Sequence, residues 1–223
     1  MNLPMPSSRD RREITLILAW LIMPLGLAFT TGVLLVHHAR KPVWKILGDP
    51  VHGNPLLGFF SNFGIVGWCA GASVALFSGW LLWRWRGPRD LVRFHFSAGA
   101  FTSVLMLDDF FLIHDALAPH YLGLGQNTVY ALYAAMFVAF VATSRRHILA
   151  RNPALFVLAV ALLGLMVLLD ALIQGSAREL SVVMAGSKFL GIYAWTAWMV
   201  VTARRDLENR GAVLTGNTLP GTH

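Results

Sequence analysis

The sequence predicts an all-α fold, a polytopic transmembrane helix bundle of six spans with both termini in the cytoplasm. Of the 223 residues, 56% are hydrophobic and only 13% are charged, whereas a soluble domain carries about 25% charged residues. Apolar runs of about 20 residues, the length that crosses a bilayer, recur along the chain. Because no stretch shows the alternating pattern of barrel strands, helices are the elements expected in the membrane.

Turn and charge signals bound the predicted spans, for example Gly87-Pro88 and Asn152-Pro153. The six predicted spans cover residues 14–36, 57–83, 92–118, 127–143, 154–174 and 180–203. They form one transmembrane domain over residues 14–203, which follows a short cytoplasmic tail over residues 1–13. The C-terminal tail over residues 204–223 lacks hydrophobic periodicity and is predicted to be disordered.

Basic residues are distributed unevenly between the two sides of the predicted bundle. Thirteen Lys and Arg residues fall in the two tails and in the second and fourth connections, with Arg93 at the start of the third span counted in the second connection, against four in the other connections. Since Lys and Arg are concentrated in cytoplasmic loops, this asymmetry places both termini in the cytoplasm and predicts a multi-pass inner-membrane protein. The first span is interpreted as an uncleaved anchor, because it is too long for a signal peptide.

The formal net charge of +7 raises the question of an anionic partner. The basic residues come as short clusters between apolar runs, which is typical of loops that face anionic lipid. Membrane lipid is therefore the predicted partner, nucleic acid is not predicted, and no feature identifies a protein partner. The single cysteine, Cys69, excludes an internal disulfide and an iron–sulfur cluster.

Ionisable residues interrupt the third span between Leu107 and Asp115. Each charge at the centre of a membrane helix costs about 2.5 to 3.5 kcal/mol, so such residues usually face protein or water. On a regular helix Asp108 and Asp115 share one face, which predicts that this helix lies in the middle of the bundle. The predicted catalytic residues are Asp108, Asp109, His114 and Asp115.

Further polar residues fall at a similar predicted depth on the fifth and sixth spans. Asp170 lies near the outer end of the fifth span, Glu179 begins the sixth, and Lys188 lies about two turns deeper. Lys188 is predicted to form a structural ion pair with Asp109, with Asp108 as the alternative, because an unpaired ammonium is costly there. One pair leaves a surplus of carboxylates, which predicts a functional, outward-facing polar cavity.

A divalent metal is the candidate cofactor of this cavity. One imidazole and several carboxylates make a nitrogen-and-oxygen site that suits zinc, manganese or iron. The predicted ligands are His114, Asp115, Asp170 and Glu179. The alternative is a hydrogen-bonded network that fixes the register of the helices and binds no metal.

Two resemblances accompany these residues. The segment from Leu107 to Asp115 resembles a family of uncharacterised bacterial six-span membrane proteins with an intramembrane LDDxFxxHD/E motif, and this resemblance implies no activity. Ser61, Asp108 or Asp109, and His114 are similar to the serine, aspartate and histidine of the alkaline ceramidase and progestin/adiponectin receptor superfamily. That second resemblance implies zinc and amidase chemistry. The sixth span here has no histidine, unlike that superfamily.

Three functions remain open from the sequence. The first is a metal-dependent or acid/base hydrolase whose outward-facing site acts on a lipid or other amphiphile. The second is a proton or cation carrier, and the third is a non-catalytic membrane subunit or sensor. A carrier needs polar steps through the inner half, where the sequence offers Ser73, Ser78, Ser97, Thr102, Ser103 and Thr196. The outward-facing site is therefore favoured over a pore.

Overall fold

The computed structural model describes residues 12, 15–38, 59–151, 153–172 and 178–215. Within these ranges the regular structure is entirely helical, which confirms the predicted all-α fold class. The prediction that the long apolar runs are helical is also confirmed, because each apolar run in the described ranges lies in a helix.

Seven α-helices and two π-helical turns follow one another in the described ranges. They are a π-helical turn (Leu18–Ile22), α1 (Met23–His38), α2 (Phe59–Arg84), α3 (Arg89–Phe111), a second π-helical turn (Ile113–Leu117), α4 (Ala118–Leu122), α5 (Gln126–Ala150), α6 (Pro153–Leu172) and α7 (Arg178–Leu214). Pro88 directly precedes α3 and Pro153 begins α6, positions that proline favours because the first helical residues need no internal N–H bond.

Some of these helices have the length and the hydrophobicity of membrane spans. In the described ranges, Phe59–Arg84, Gln126–Ala150 and Pro153–Asp170 are long and apolar enough to cross a bilayer. A fourth candidate is the bent pair of Arg89–Phe111 with Ile113–Leu122, counted as one span. A shorter apolar helix covers Met23–Leu34. These findings support a membrane protein with three or four candidate spans.

The third predicted span is broken, whereas a straight helix was expected over residues 92–118. α3 ends at Phe111, and Leu112 adopts the left-handed conformation with φ 51° and ψ 47°. The helix that follows is bent by 61° from α3. The left-handed conformation costs an L-residue roughly 1 to 2 kcal/mol, so neighbouring interactions must hold Leu112 in place.

The last helix extends further than the sequence predicted. α7 continues to Leu214, inside the segment 204–223 that was expected to be disordered. Asp206 is buried on this extension, and Arg210 donates from Nη2 to the carbonyl oxygens of Trp85 and Arg86 at 2.8 and 3.0 Å. These contacts order the beginning of the tail, and residues 216–223 lie outside the described ranges.

The chain divides into two compact units. The first consists of residues 1–68 and 152–197, and the second consists of residues 69–151 and 198–223. Each unit has a packed interior of its own.

Aromatic rings form the interior of the first unit. The rings of Phe29, Phe60 and Phe189 pack with centroids 4.7 to 6.0 Å apart. The hydroxyl of Thr196 donates to the carbonyl oxygen of Gly67 at 2.8 Å, which requires a close approach of α2 and α7. Small residues permit such an approach where helices pack without a hydrophobic driving force.

The interior of the second unit joins α3 to α5 and α7. Phe101 and Phe140 stack with centroids 5.8 Å apart, and Phe94 contacts Phe140 at 6.3 Å. Trp198 is buried and donates from its indole nitrogen to the carbonyl oxygen of Arg151 at 3.1 Å. This packing positions the three helices that carry the polar residues of the unit.

Candidate functional site

Asp108 is the centre of a polar cluster at the C-terminal end of α3. Its Oδ1 accepts hydrogen bonds from the backbone N–H of His114 and from the hydroxyl of Tyr133, each at 2.9 Å. Its Oδ2 lies 2.6 Å from Nδ1 of His114. The carboxylate, which precedes the helix break, is thus held by donors from the segment after the break and from α5.

The break after Phe111 brings Asp108 and His114 together. On a regular helix, residues six positions apart point in different directions. The left-handed Leu112 turns the chain, so that the N–H of His114, at the start of the next helical segment, points to the Asp108 carboxylate. Because the first N–H groups of a helix lack internal partners, this side chain caps the new segment.

His114 lies between two carboxylates of different exposure. Its Nδ1 faces Asp108, whose side chain is 7% exposed, and its Nε2 lies 3.2 Å from Asp115 Oδ2, whose side chain is 47% exposed. When both carboxylates are ionised, each ring nitrogen donates a hydrogen bond, which requires the imidazolium form. Asp115 connects the imidazole to the surface of the unit.

α5 supplies the remaining side of the cluster. Gln126 donates from Nε2 to Asp115 Oδ1 and to the hydroxyl of Tyr130, each at 3.2 Å. The ring of Tyr130 lies 5.1 Å from that of His114, measured between centroids. We call Asp108, His114, Asp115, Gln126, Tyr130 and Tyr133 the Asp108 cluster. Sequence reasoning missed Gln126, although its spacing from both tyrosines, four and seven residues, places all three on one helix face.

The other predicted site residues fall into three groups. Asp109 is buried beside Asp108 on α3. Asp170 and Lys188 belong to the first unit, so the predicted common cavity and the ion pair of Lys188 with Asp109 stay predictions. The side chain of Glu179 lies outside the part of the chain that the structure describes.

The described residues do not fit the predicted metal site. Among them, no group of three or more His, Cys, Asp and Glu side chains is arranged to hold a metal ion. Both ring nitrogens of His114 face carboxylate oxygens, and a ring nitrogen that donates a hydrogen bond has no lone pair for a metal. Metal binding is therefore unsupported by the described residues.

A second polar cluster lies at the other end of α3, centred on Asp206 of α7. Asp206 Oδ1 accepts a hydrogen bond from Arg151 Nε, and its Oδ2 lies 2.9 Å from His95 Nε2. The side chains of His95 and Asp206 are 0% and 1% exposed. A carboxylate buried this deeply requires its charge to be well compensated, and the Arg151 guanidinium supplies the opposite charge.

His147 and Asp90 extend this second cluster towards the surface. His147 Nδ1 lies 2.9 Å from Arg151 Nη1, and its Nε2 lies 3.4 Å from Asp90 Oδ2. Because a guanidinium has donors only, Nδ1 of His147 is the acceptor and its Nε2 carries the proton. We call Asp90, His95, His147, Arg151 and Asp206 the Asp206 cluster. Sequence reasoning missed it, because Arg151 was assigned to a connection and Asp206 to the tail.

Comparison with known proteins gives a family and no activity. The model of a family described as a domain of unknown function, DUF8692, matches residues 12–202. No curated protein and no solved structure matches the chain.

Proposed function

Since the chain belongs to this family of unknown function, we propose a function from its site: an outward-facing acid/base hydrolase of the inner membrane that acts on a lipid or other amphiphile. The proposal includes six spans with both termini in the cytoplasm, as the distribution of basic residues predicts. One observation carries it, the imidazole of His114 held between a buried and a half-exposed carboxylate.

The Asp108 cluster provides a matched base and acid. Asp115 is the half-exposed carboxylate and takes a proton from an attacking water molecule. His114, as imidazolium, donates the proton on Nε2 to the leaving group of the substrate. Asp108 keeps the imidazole in the orientation that aims Nε2 at the exposed side.

The surroundings of the cluster suit an amphiphilic substrate. Phe110 and Phe111 directly precede the helix break and are 60% and 54% exposed. Tyr121 and Leu122, at the end of α4, are also exposed. Exposed apolar side chains next to an acid/base group match a substrate with an apolar chain and a polar bond to be hydrolysed.

The resemblance to the alkaline ceramidase superfamily would add Ser61 to the site. Ser61 belongs to the first unit, and its role stays a prediction. The proposed chemistry uses the residues of the Asp108 cluster and does not depend on Ser61.

Turnover of fluorogenic ester and amide amphiphiles by the protein in lipid nanodiscs tests the proposal. We expect turnover by the wild-type protein, and a loss of about 10²- to 10⁴-fold in kcat for His114→Gln and Asp115→Asn, the usual contribution of an acid or base. His120→Gln is the matched control, because His120 is an exposed histidine six residues further along. Equal turnover by wild-type protein and His114→Gln, or none above empty nanodiscs, would refute the proposal.

The second candidate function is a proton carrier. The observation that favours it is the Asp206 cluster, which places buried ionisable side chains near the end of α3 that lies in the predicted inner half, where the sequence predicted hydroxyl groups alone. A carrier needs ionisable groups at both ends of its path.

A further inference from the structure

Positive charge is concentrated at the end of the second unit that carries the Asp206 cluster. Residues 84–93, 145–151 and 204–210 contain ten arginines and three carboxylates. Their excess of seven positive charges equals the formal net charge of the whole chain, +7. The Asp206 cluster and the hydrogen bonds of Arg210 join the three segments in the folded protein. One end of the unit is therefore strongly cationic.

The three carboxylates at this end contact other residues. Asp90 and Asp206 belong to the Asp206 cluster, and Glu208 forms an ion pair of 3.5 Å within α7. In the part of the chain that the structure describes, these contacts leave no carboxylate paired with Arg89 or Arg93 of α3. Both arginines are exposed, so their guanidinium groups are open to an anionic ligand.

Two glycines bring α2 and α3 into close contact next to these arginines. A Cβ at Gly79 would lie 3.3 Å from the ring of Phe96, and a Cβ at Gly99 would lie 2.6 Å from the side chain of Leu76. Phe96 and Leu76 therefore lie directly against the neighbouring helix. They are nevertheless 38% and 37% exposed, so the line of contact between the two helices lies at the surface of the unit.

The exposed side chains along this line change from charged to aromatic. Arg89, Arg93 and Phe96 are spaced four and three residues apart and share one exposed face of α3. Trp80 and Trp83 on α2 are also exposed. An indole combines an apolar ring with an N–H donor, which suits the boundary between lipid headgroups and acyl chains. We define the α2–α3 seam as Leu76, Trp80, Trp83, Arg89, Arg93 and Phe96.

The exposed face of α3 continues beyond the arginines as an apolar surface. Ala100 and Leu107 are exposed four and eleven residues after Phe96, positions that return to nearly the same face. From Arg93 to Leu107 this face extends for about 21 Å, which exceeds the hydrocarbon thickness of one leaflet, about 15 Å. The surface is therefore long enough to contact the acyl chains of a phospholipid.

We propose that the α2–α3 seam binds an anionic phospholipid, with the phosphate between Arg89 and Arg93 and the acyl chains along Phe96 and Leu76. A guanidinium group donates two parallel hydrogen bonds to phosphate oxygens, which favours arginine at such sites. The long stem of Arg93 lets its charge reach the headgroup level from one turn inside α3. This inference goes beyond the proposed function, because the phosphate lies at the end of α3 opposite to His114.

Charge and apolar surface together select this occupant. A zwitterionic headgroup would add an ammonium group to an end that already has seven excess positive charges. A second copy of the chain would bring the same excess of charge against itself. Free phosphate would contact the arginines and none of the apolar side chains of the seam. An anionic phospholipid matches both the charge and the apolar surface.

Lipid binding, counted by native mass spectrometry, tests this inference. The full-length protein in detergent is titrated with phosphatidylglycerol, or with phosphatidylcholine of the same acyl chains. We expect phosphatidylglycerol to bind more tightly. Arg89→Gln with Arg93→Gln should weaken that binding about 25-fold, and Arg93→Gln alone about fivefold, the usual effect of one arginine near a membrane surface. Neither change should alter the binding of phosphatidylcholine.

A matched pair of α5 variants distinguishes this site from a general attraction. Arg145→Gln with Arg146→Gln removes the same charge at the same end of the unit, and both residues are exposed. This variant should weaken phosphatidylglycerol binding far less, because the two arginines lie outside the seam. Circular dichroism establishes that each variant is folded.

Four results would overturn the inference. Two are an equal loss of phosphatidylglycerol binding in both double variants, and an equal affinity of the wild-type protein for the two lipids. The third is displacement of the lipid by soluble glycerol phosphate, which would identify a site for free phosphate. The fourth is a dimer that forms in place of the lipid complex, which would identify a second copy of the chain as the occupant.

Discussion

Asp108 connects three donors that come from two separate stretches of the chain. Two belong to His114 and one to Tyr133, and the carboxylate that joins them is buried. Truncating one partner of a buried, charge-assisted pair leaves the other partner uncompensated, which costs more than an ordinary hydrogen bond. Asp108 is therefore the residue on which both the stability of the break and the orientation of the imidazole depend.

Asp108→Asn and Tyr133→Phe should separate these contributions. We expect Asp108→Asn to lower the free energy of unfolding by about 3 to 5 kcal/mol, because the imidazolium loses its buried counter-charge. Tyr133→Phe should cost about 1 kcal/mol, the usual value of one hydrogen bond. Denaturant titration in one detergent measures both. Equal losses for the two variants would contradict the central role of the Asp108 charge.

Intramembrane charge identified three of the six residues of the Asp108 cluster from the sequence, together with the neighbouring Asp109, which is not part of the cluster. Asp108, Asp109, His114 and Asp115 stood out because apolar residues surround them. Gln126 lacks that signal, since it is uncharged and lies at the start of a helix, where polar residues are common. The convergence of Asp170, Glu179 and Lys188 on the same cavity stays a prediction.

At the scale of elements, the break at Leu112 creates the geometry of the cluster. Ordinary break signals are absent there, because neither glycine nor proline occurs between Phe110 and Ala118. The sequence predicted the starts of α3 and α6 closely, where Pro88 and Pro153 mark them, whereas α5 and α7 continue past the arginines that were expected to end them, to Ala150 and Leu214. It did not predict this break, because the stabilising group, Asp108, lies before it in the chain and acts through its side chain.

A β-branched residue at position 112 tests the strain at the break. Leu112→Val should lower stability by roughly 1 to 2 kcal/mol more than Leu107→Val, because a branched Cβ fits the left-handed conformation poorly. Leu107 is the control, since it lies in the regular part of α3 and is exposed. Thermal unfolding of the two variants in the same detergent gives the comparison. Equal stability would mean that Leu112 is not held in the left-handed conformation.

At the scale of the whole molecule, the second unit has two ends with different properties. In the Asp108 cluster the half-exposed Asp115 contacts the central histidine, His114, directly, whereas in the Asp206 cluster His95 is fully buried against Asp206 and the exposed Asp90 contacts His147 instead. The two ends therefore differ in whether the central histidine contacts a carboxylate that is exposed at the surface. The proposed function takes the Asp108 end as the one that opens to the outer side of the membrane, and this orientation is its central claim.

Labelling of single cysteines from one side of the membrane tests that claim most directly. In a Cys69→Ala background, Ala116→Cys places a thiol at an exposed position next to Asp115, and Arg146→Cys places one at an exposed position near the other end of α5. We expect a membrane-impermeant maleimide added to intact spheroplasts to label the cysteine at 116, and to label the cysteine at 146 only after lysis. The reverse pattern would put the Asp108 cluster on the cytoplasmic side and contradict an outward-facing site.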